Sequence, residues 1–129
     1  MIVLKGRIEG DQPLVFGDFD PGGRLEIGVD KGPFAFLVDT GFSGDLAVPT
    51  DVLAQLGARE AFVGEFLLPT GEVVELPVYT AEVVVGGRTF ELELVASDEL
   101  LVGMGFMRAV ADKIVLNFAS DEILFEREG

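Results

Sequence analysis

Neither cysteine nor histidine occurs in the 129 residues of this chain. The first absence removes thiol nucleophiles and disulfides. The second removes Ser-His triads, and together they remove most transition-metal sites. Whatever chemistry the chain performs must come from carboxylates, hydroxyls, amines or backbone. A cysteine-free chain fits a reducing compartment, and the cytoplasm is the expected location. Positive charge is also scarce, with 9 basic residues against 23 acidic ones and a net charge of -14. Nucleic acid is therefore not an expected partner, because phosphate recognition needs clustered Lys and Arg. The same charge repels an anionic membrane surface. No apolar run reaches bilayer-spanning length, and Met1-Ile2-Val3-Leu4-Lys5-Gly6 lacks the basic-then-apolar pattern of a signal peptide.

What is present is 49% hydrophobic residues, with Val, Leu, Ile and Phe prominent and no long Ala/Leu/Glu/Lys runs. That composition favours strands, and the length predicts one domain over residues 1–129. Strands are expected at residues 2–8, 24–29, 34–38, 62–68, 73–85 and 89–95, with a closing hairpin of 113–118 and 122–125. Residues 17–23 are rich in turn formers and read as a surface loop. Asp30-Lys31-Gly32-Pro33 should turn residues 24–29 back into 34–38 as a hairpin. A short helix is expected over 51–56, with Thr50 as N-cap and Gly57 at its end. A second is expected over 105–111, where Met104, Phe106 and Met107 read as core. Gly86-Gly87 is a strong two-residue hairpin signal. The expected class is all-β, a closed or sandwich-like arrangement with one or two short helices. A strand, apolar tripeptide, loop glycine and short helix recur at residues 36–56 and 100–111, which suggests a two-fold pseudo-repeat.

The most informative segment is Phe36-Leu37-Val38-Asp39-Thr40-Gly41. An apolar strand runs directly into a carboxylate, and such a group is costly there unless something holds it. Thr40 and Gly41 offer a hydroxyl and approachable backbone amides. On composition alone about 2% of chains this long contain Asp-Thr-Gly, so its neighbours carry the argument. Phe42-Ser43-Gly44-Asp45-Leu46-Ala47-Val48-Pro49 follows. Later comes Leu101-Val102-Gly103, and between the two lies Phe66-Leu67-Leu68-Pro69-Thr70-Gly71-Glu72-Val73-Val74. In this order and spacing, residues 25–118 resemble the retropepsin-like aspartic protease family.

The resemblance implies a closed, barrel-like acid protease fold and aspartic endopeptidase activity on polypeptide substrates, with no cofactor and no metal. Two-lobed members of the family carry two Asp-Thr-Gly loops, and this chain has one. It therefore implies a homodimer in which Asp39 of each copy faces the other across a two-fold axis. Thr40 would hydrogen-bond to the opposite loop, and Gly41 would let amides approach the carboxylates. Leu68, Pro69, Thr70 and Gly71 would belong to a flap over the substrate. Phe42 and Ser43 would contact that substrate, while Val102 and Gly103 would pack beside the loop. The terminal segments, residues 1–9 and 122–129, could form an interlocked dimer sheet. Where the family keeps a small residue after the glycine stands Phe42, which either lines a pocket or obstructs one.

Plainer readings remain open for each feature. Asp39 could simply end a strand in an Asx-turn, Pro69-Thr70-Gly71 could be an ordinary hairpin turn, and Gly103 could mark a bulge or helix start. The alternative function is a non-catalytic peptide-binding or dimerisation module on the same fold. A monomeric β-barrel carrier of a small apolar ligand is a third.

Overall fold

Alternation of apolar and polar residues dominates the chain, and strands dominate the structure. The computed structural model describes residues 1–30 and 32–128. Its elements are β1 (Ile2–Glu9), β2 (Gln12–Phe19), β3 (Leu25–Ile27), β4 (Phe34–Val38), β5 (Leu46–Val48), α1 (Thr50–Leu56), β6 (Arg59–Leu67), β7 (Val73–Val85), β8 (Arg88–Ala96), β9 (Leu101–Val102), α2 (Met104–Val110), β10 (Lys113–Asn117) and β11 (Glu122–Glu126). The protein is mostly β, as composition predicts. Among the described residues, no helix is long and apolar enough to cross a membrane.

All strands join one hydrogen-bonded sheet in the order β10-β11-β1-β2-β3-β7-β8-β5-β9-β4, with β6 attached to β7 and a further pairing of β2 with β4. Inward-facing residues of these strands meet in one apolar centre that includes Val15, Leu25, Ile27, Phe36, Leu46, Leu94 and Val102, all inaccessible to solvent. Phe106 of α2 reaches into it and stands edge-on to Phe125, with ring centroids 6.1 Å apart. Met107 is buried too, whereas Met104 is 38% exposed and so is not core. The tight hairpins follow from backbone chemistry. Gly86 and Gly87 have φ of 56° and 82°, the left-handed pair that a two-residue turn between twisted strands requires.

Several local expectations give way to longer-range pairing. Residues 17–19 belong to β2 rather than to a loop, because Gly17 pairs with Ile27 and Phe19 with Leu25. A Cβ at Gly17 would stand 2.9 Å from the Glu26 carbonyl oxygen, so this glycine permits close strand approach instead of a turn. β3 and β4 do not form a hairpin. β3 pairs with β2 and, in parallel, with β7, while β4 pairs with β2 and β9. The turn expected at Asp30-Lys31-Gly32-Pro33 includes Lys31, which lies outside the described residues, as does Gly129. Thr50 is the first residue of α1 and makes no capping bond; Pro49 occupies the N-cap. Gly57 ends α1 as expected, at φ 63°, its amide bonded to the Ala54 carbonyl.

Between β2 and β3, Asp20 organises a tight loop. Its Oδ1 accepts hydrogen bonds from the amides of Gly22 at 2.9 Å and Arg24 at 2.8 Å, and its Oδ2 meets Arg24 Nε at 3.0 Å. Burial of the carboxyl works to raise its pKa. Arg24, through its amide and guanidinium, and the Gly22 amide outweigh that and hold it below the ordinary carboxylate value. A carboxyl lowered in the folded state stabilises the fold above its unfolded pKa, and that contribution is lost as pH falls through the folded value. Urea midpoints followed from about pH 5 to about pH 2 should therefore fall more steeply for the wild type than for Asp20→Asn. Equal slopes would show that the carboxylate is not engaged in this way.

Candidate functional site

The loop that carries Asp39 is placed by a strand inserted between its two flanks. β9 lies parallel to β4, with Val38 opposite Val102, and antiparallel to β5, with Leu46 opposite Val102. The Asp39 amide donates to the Val102 carbonyl at 2.9 Å, so the backbone is anchored up to the carboxylate itself. Asp39 Oδ1 accepts the Gly41 amide at 2.8 Å, and the Phe42 amide reaches the Asp39 carbonyl at 3.2 Å. A Cβ on Gly41 would crowd that same oxygen at 3.2 Å, which is the local reason for glycine here. The side-chain bond is that of an Asx-turn, so the plain reading of Asp39 and the functional one share this geometry. No ion pair among the described residues involves Asp39, which is half-buried.

Beneath the loop, three glycines allow backbones to touch. The Gly103 amide donates to the Asp45 carbonyl at 2.9 Å, the Met104 amide to the Phe42 carbonyl at 2.8 Å, and the Gly105 amide to the Gly44 carbonyl at 3.1 Å. Gly103 is buried, and a Cβ there would strike the Gly44 carbonyl oxygen and stand 2.6 Å from that of Phe42. Asp45 adds a tie to β8, its Oδ2 accepting the Glu93 amide at 2.9 Å. The Phe42 ring turns inward over Gly44 and Gly103 and, like Phe66 and Leu101, packs against the buried cluster of Ala47, Val78 and Val95. It forms part of an apolar floor.

That floor belongs to a cleft of about 320 Å³. Asp39, Gly41, Phe42 and Ser43 line one side, and Leu68 and Pro69 overhang it from the tip of the β6–β7 hairpin. Leu68 and Gly71 close that tip with a 2.9 Å backbone bond, a turn with Pro69 at its second position and Gly71 at φ 89°. Thr70 and Gly71 are exposed and do not line the cleft; Val102 and Gly103 are buried below it. Neither Asp45 nor Glu72 reaches it. Thr40 points elsewhere, onto the rim of a second, apolar depression of about 420 Å³ beside α2 and β10.

Sequence reasoning missed much of the cleft wall: Ala47, Leu76, Val95, Ser97, Glu99 and Leu101 all contribute. The available signal was the alternation along β6 and β7, which sends Phe66, Val74 and Leu76 to one face and leaves Glu65 and Glu75 on the other. Among the described residues, no group of three or more Asp and Glu side chains gathers closely enough to hold a metal ion. No protein-family model matches the chain, and no curated protein matches it.

Proposed function

We propose that this chain is one half of an aspartic endopeptidase of the retropepsin-like kind, with the active site completed by a second copy. The observation that carries the reading is the Asp39 carboxylate: it ends an anchored strand, is oriented by the Gly41 amide at 2.8 Å, and opens into an apolar cleft under a hairpin arm. The barrel-like acid protease fold is part of the proposal. It is supported by β2 pairing with both β3 and β4, which brings the sheet's path back on itself.

In a symmetric dimer each Asp39 meets its own counterpart. Two carboxylates held that close do not both ionise readily, so they share one proton and titrate as a pair. Aspartic proteases are the best-known instance of this pairing. The ionised member takes a proton from a bound water as it attacks the peptide carbonyl. The protonated member donates to the carbonyl oxygen, and the proton then passes to the departing amine. The tip formed by Leu68 and Pro69 closes over an extended polypeptide and excludes water. Phe42 packs against Ala47, Val78 and Val95 and lines the substrate seat.

The deciding experiment is incubation of the wild type and Asp39→Asn with a denatured, mixed peptide library. New amino termini appearing with the wild type alone support the peptidase. The binding-module alternative draws on the exposed apolar residues of the arm, Leu67 at 71% and Val73 at 60%. Peptide retained by both proteins without new termini would favour that module.

A further inference from the structure

Among the described residues, two strands keep an unpaired edge: β6, bonded only to β7, and β10, bonded only to β11. Open edges invite another strand unless they are protected. β6 is protected by a bulge between Glu60 and Phe62 and by the charges of Arg59, Glu60 and Glu65. β10 reads Lys113-Ile114-Val115-Leu116-Asn117, with an uninterrupted apolar centre. Leu116 is 46% exposed and Phe118, just beyond, 71%. Within one copy the terminal segments are paired with each other, β1 against β11. The edge left open is therefore β10.

Next to this edge lies the second depression, about 420 Å³, lined by Val38, Met104, Met107, Ile114 and Leu116 with Thr40 on its rim. A chain of net charge -14 resists meeting its own copy. Here Arg108 and Lys113 line the surface beside one lining acid, Asp112, with Lys113 also paired to Glu126 at 3.5 Å, so the acidic charge opposing approach is locally offset.

We infer that β10 is the seam along which a second copy of this chain joins, antiparallel and centred on Val115. That register sets Ile114 opposite Leu116, Val115 opposite itself and Lys113 opposite Asn117, with no like charges facing. A two-fold axis between the strands puts Ile114 and Leu116 of both copies on one face. That face is the one Ile114 and Leu116 already share with Ile123 and Phe125, toward the depression. The four aliphatic side chains cover it, and the same axis draws together the loops whose Thr40 residues stand on its rim. The inference rests on the proposed dimeric peptidase, whose site is incomplete in one copy.

Because the chain has no cysteine, Val115→Cys can form a disulfide only between copies. Residues facing across an antiparallel pair have Cα atoms about 4.5–5.5 Å apart, within disulfide range. Mild oxidation is expected to convert most of Val115→Cys to a covalent dimer, while Phe62→Cys on the β6 edge stays uncrosslinked. Leu116→Lys, at a position 46% exposed, should sediment as a folded monomer whose melting no longer depends on concentration, whereas the wild type's melting rises with concentration. A wild-type dimer that survives Leu116→Lys and leaves Val115→Cys uncrosslinked overturns the seam but not the peptidase. A wild type that is monomeric at all working concentrations overturns both. A dimer crosslinked through Val115→Cys that cleaves nothing upholds the seam and counts against the peptidase.

Discussion

Asp39→Asn is expected to lower peptide cleavage by on the order of 10³-fold or more, leaving melting temperature and self-association where they were. The substitution keeps shape and keeps an oxygen that can accept the Gly41 amide, now at 2.8 Å from Oδ1. What it removes is the ability to take up and release a proton, and in a symmetric dimer it removes this from both sides at once. Asp39 is half-buried and joins no ion pair among the described residues, so the fold has little stake in its charge. Turnover within tenfold of wild type would sink the mechanism. A large fall in stability would show that the fold depends on the Asp39 charge itself, since Asn can keep the turn bond to the Gly41 amide.

Gly103→Ala is expected to be the most damaging single methyl that can be added near the site, at about 3 kcal/mol or more. The added carbon would meet two backbone groups, the Gly44 carbonyl and the Phe42 carbonyl at 2.6 Å, besides the Phe42 ring at 2.6 Å. A side chain could swing aside, but carbonyls move only if the loop lifts. Lifting it strains the bonds from Gly103, Met104 and Gly105 to residues 42–45 and tilts the Asp39 turn with them. Gly57→Ala is the natural comparison. Nothing lies within 4 Å of a Cβ there, so its cost is confined to the left-handed backbone, about 1 kcal/mol. Chemical denaturation of the two variants separates collision from conformation. If Gly103→Ala melts no earlier than Gly57→Ala, the loop has slack that the packing does not suggest.

What could be read from the chain was whatever is decided within a few residues. Gly86-Gly87 and Gly57 are dictated by local backbone conformation, and both turned out where expected. The Asp39–Gly41 hydrogen bond is local in the same sense. Gly17 was misread because a glycine beside an aspartate resembles a turn, and only the Glu26 carbonyl close by explains it. β3 was paired wrongly because its partner β7 lies more than fifty residues away, with Leu25 opposite Val83. The cleft suffered for the same reason. Its loop side, Asp39 and Gly41 to Ser43, lies in one short segment and is legible, although Thr40 between them faces the other depression. Its far walls, Leu76 and Val95 among them, arrive by the β6–β7 and β7–β8 registers, which no short window contains.

One of those registers has a further effect. On the exposed face of the hairpin arm Glu65 stands directly opposite Glu75, and among the described residues neither has a cationic partner. Facing carboxylates push the two strands apart, a repulsion that dissolved electrolyte damps as the Debye length shrinks to about 10 Å near 0.1 M. The arm should therefore be looser in dilute buffer and stiffer at high ionic strength, and Glu75→Gln should abolish that difference in amide exchange along β6.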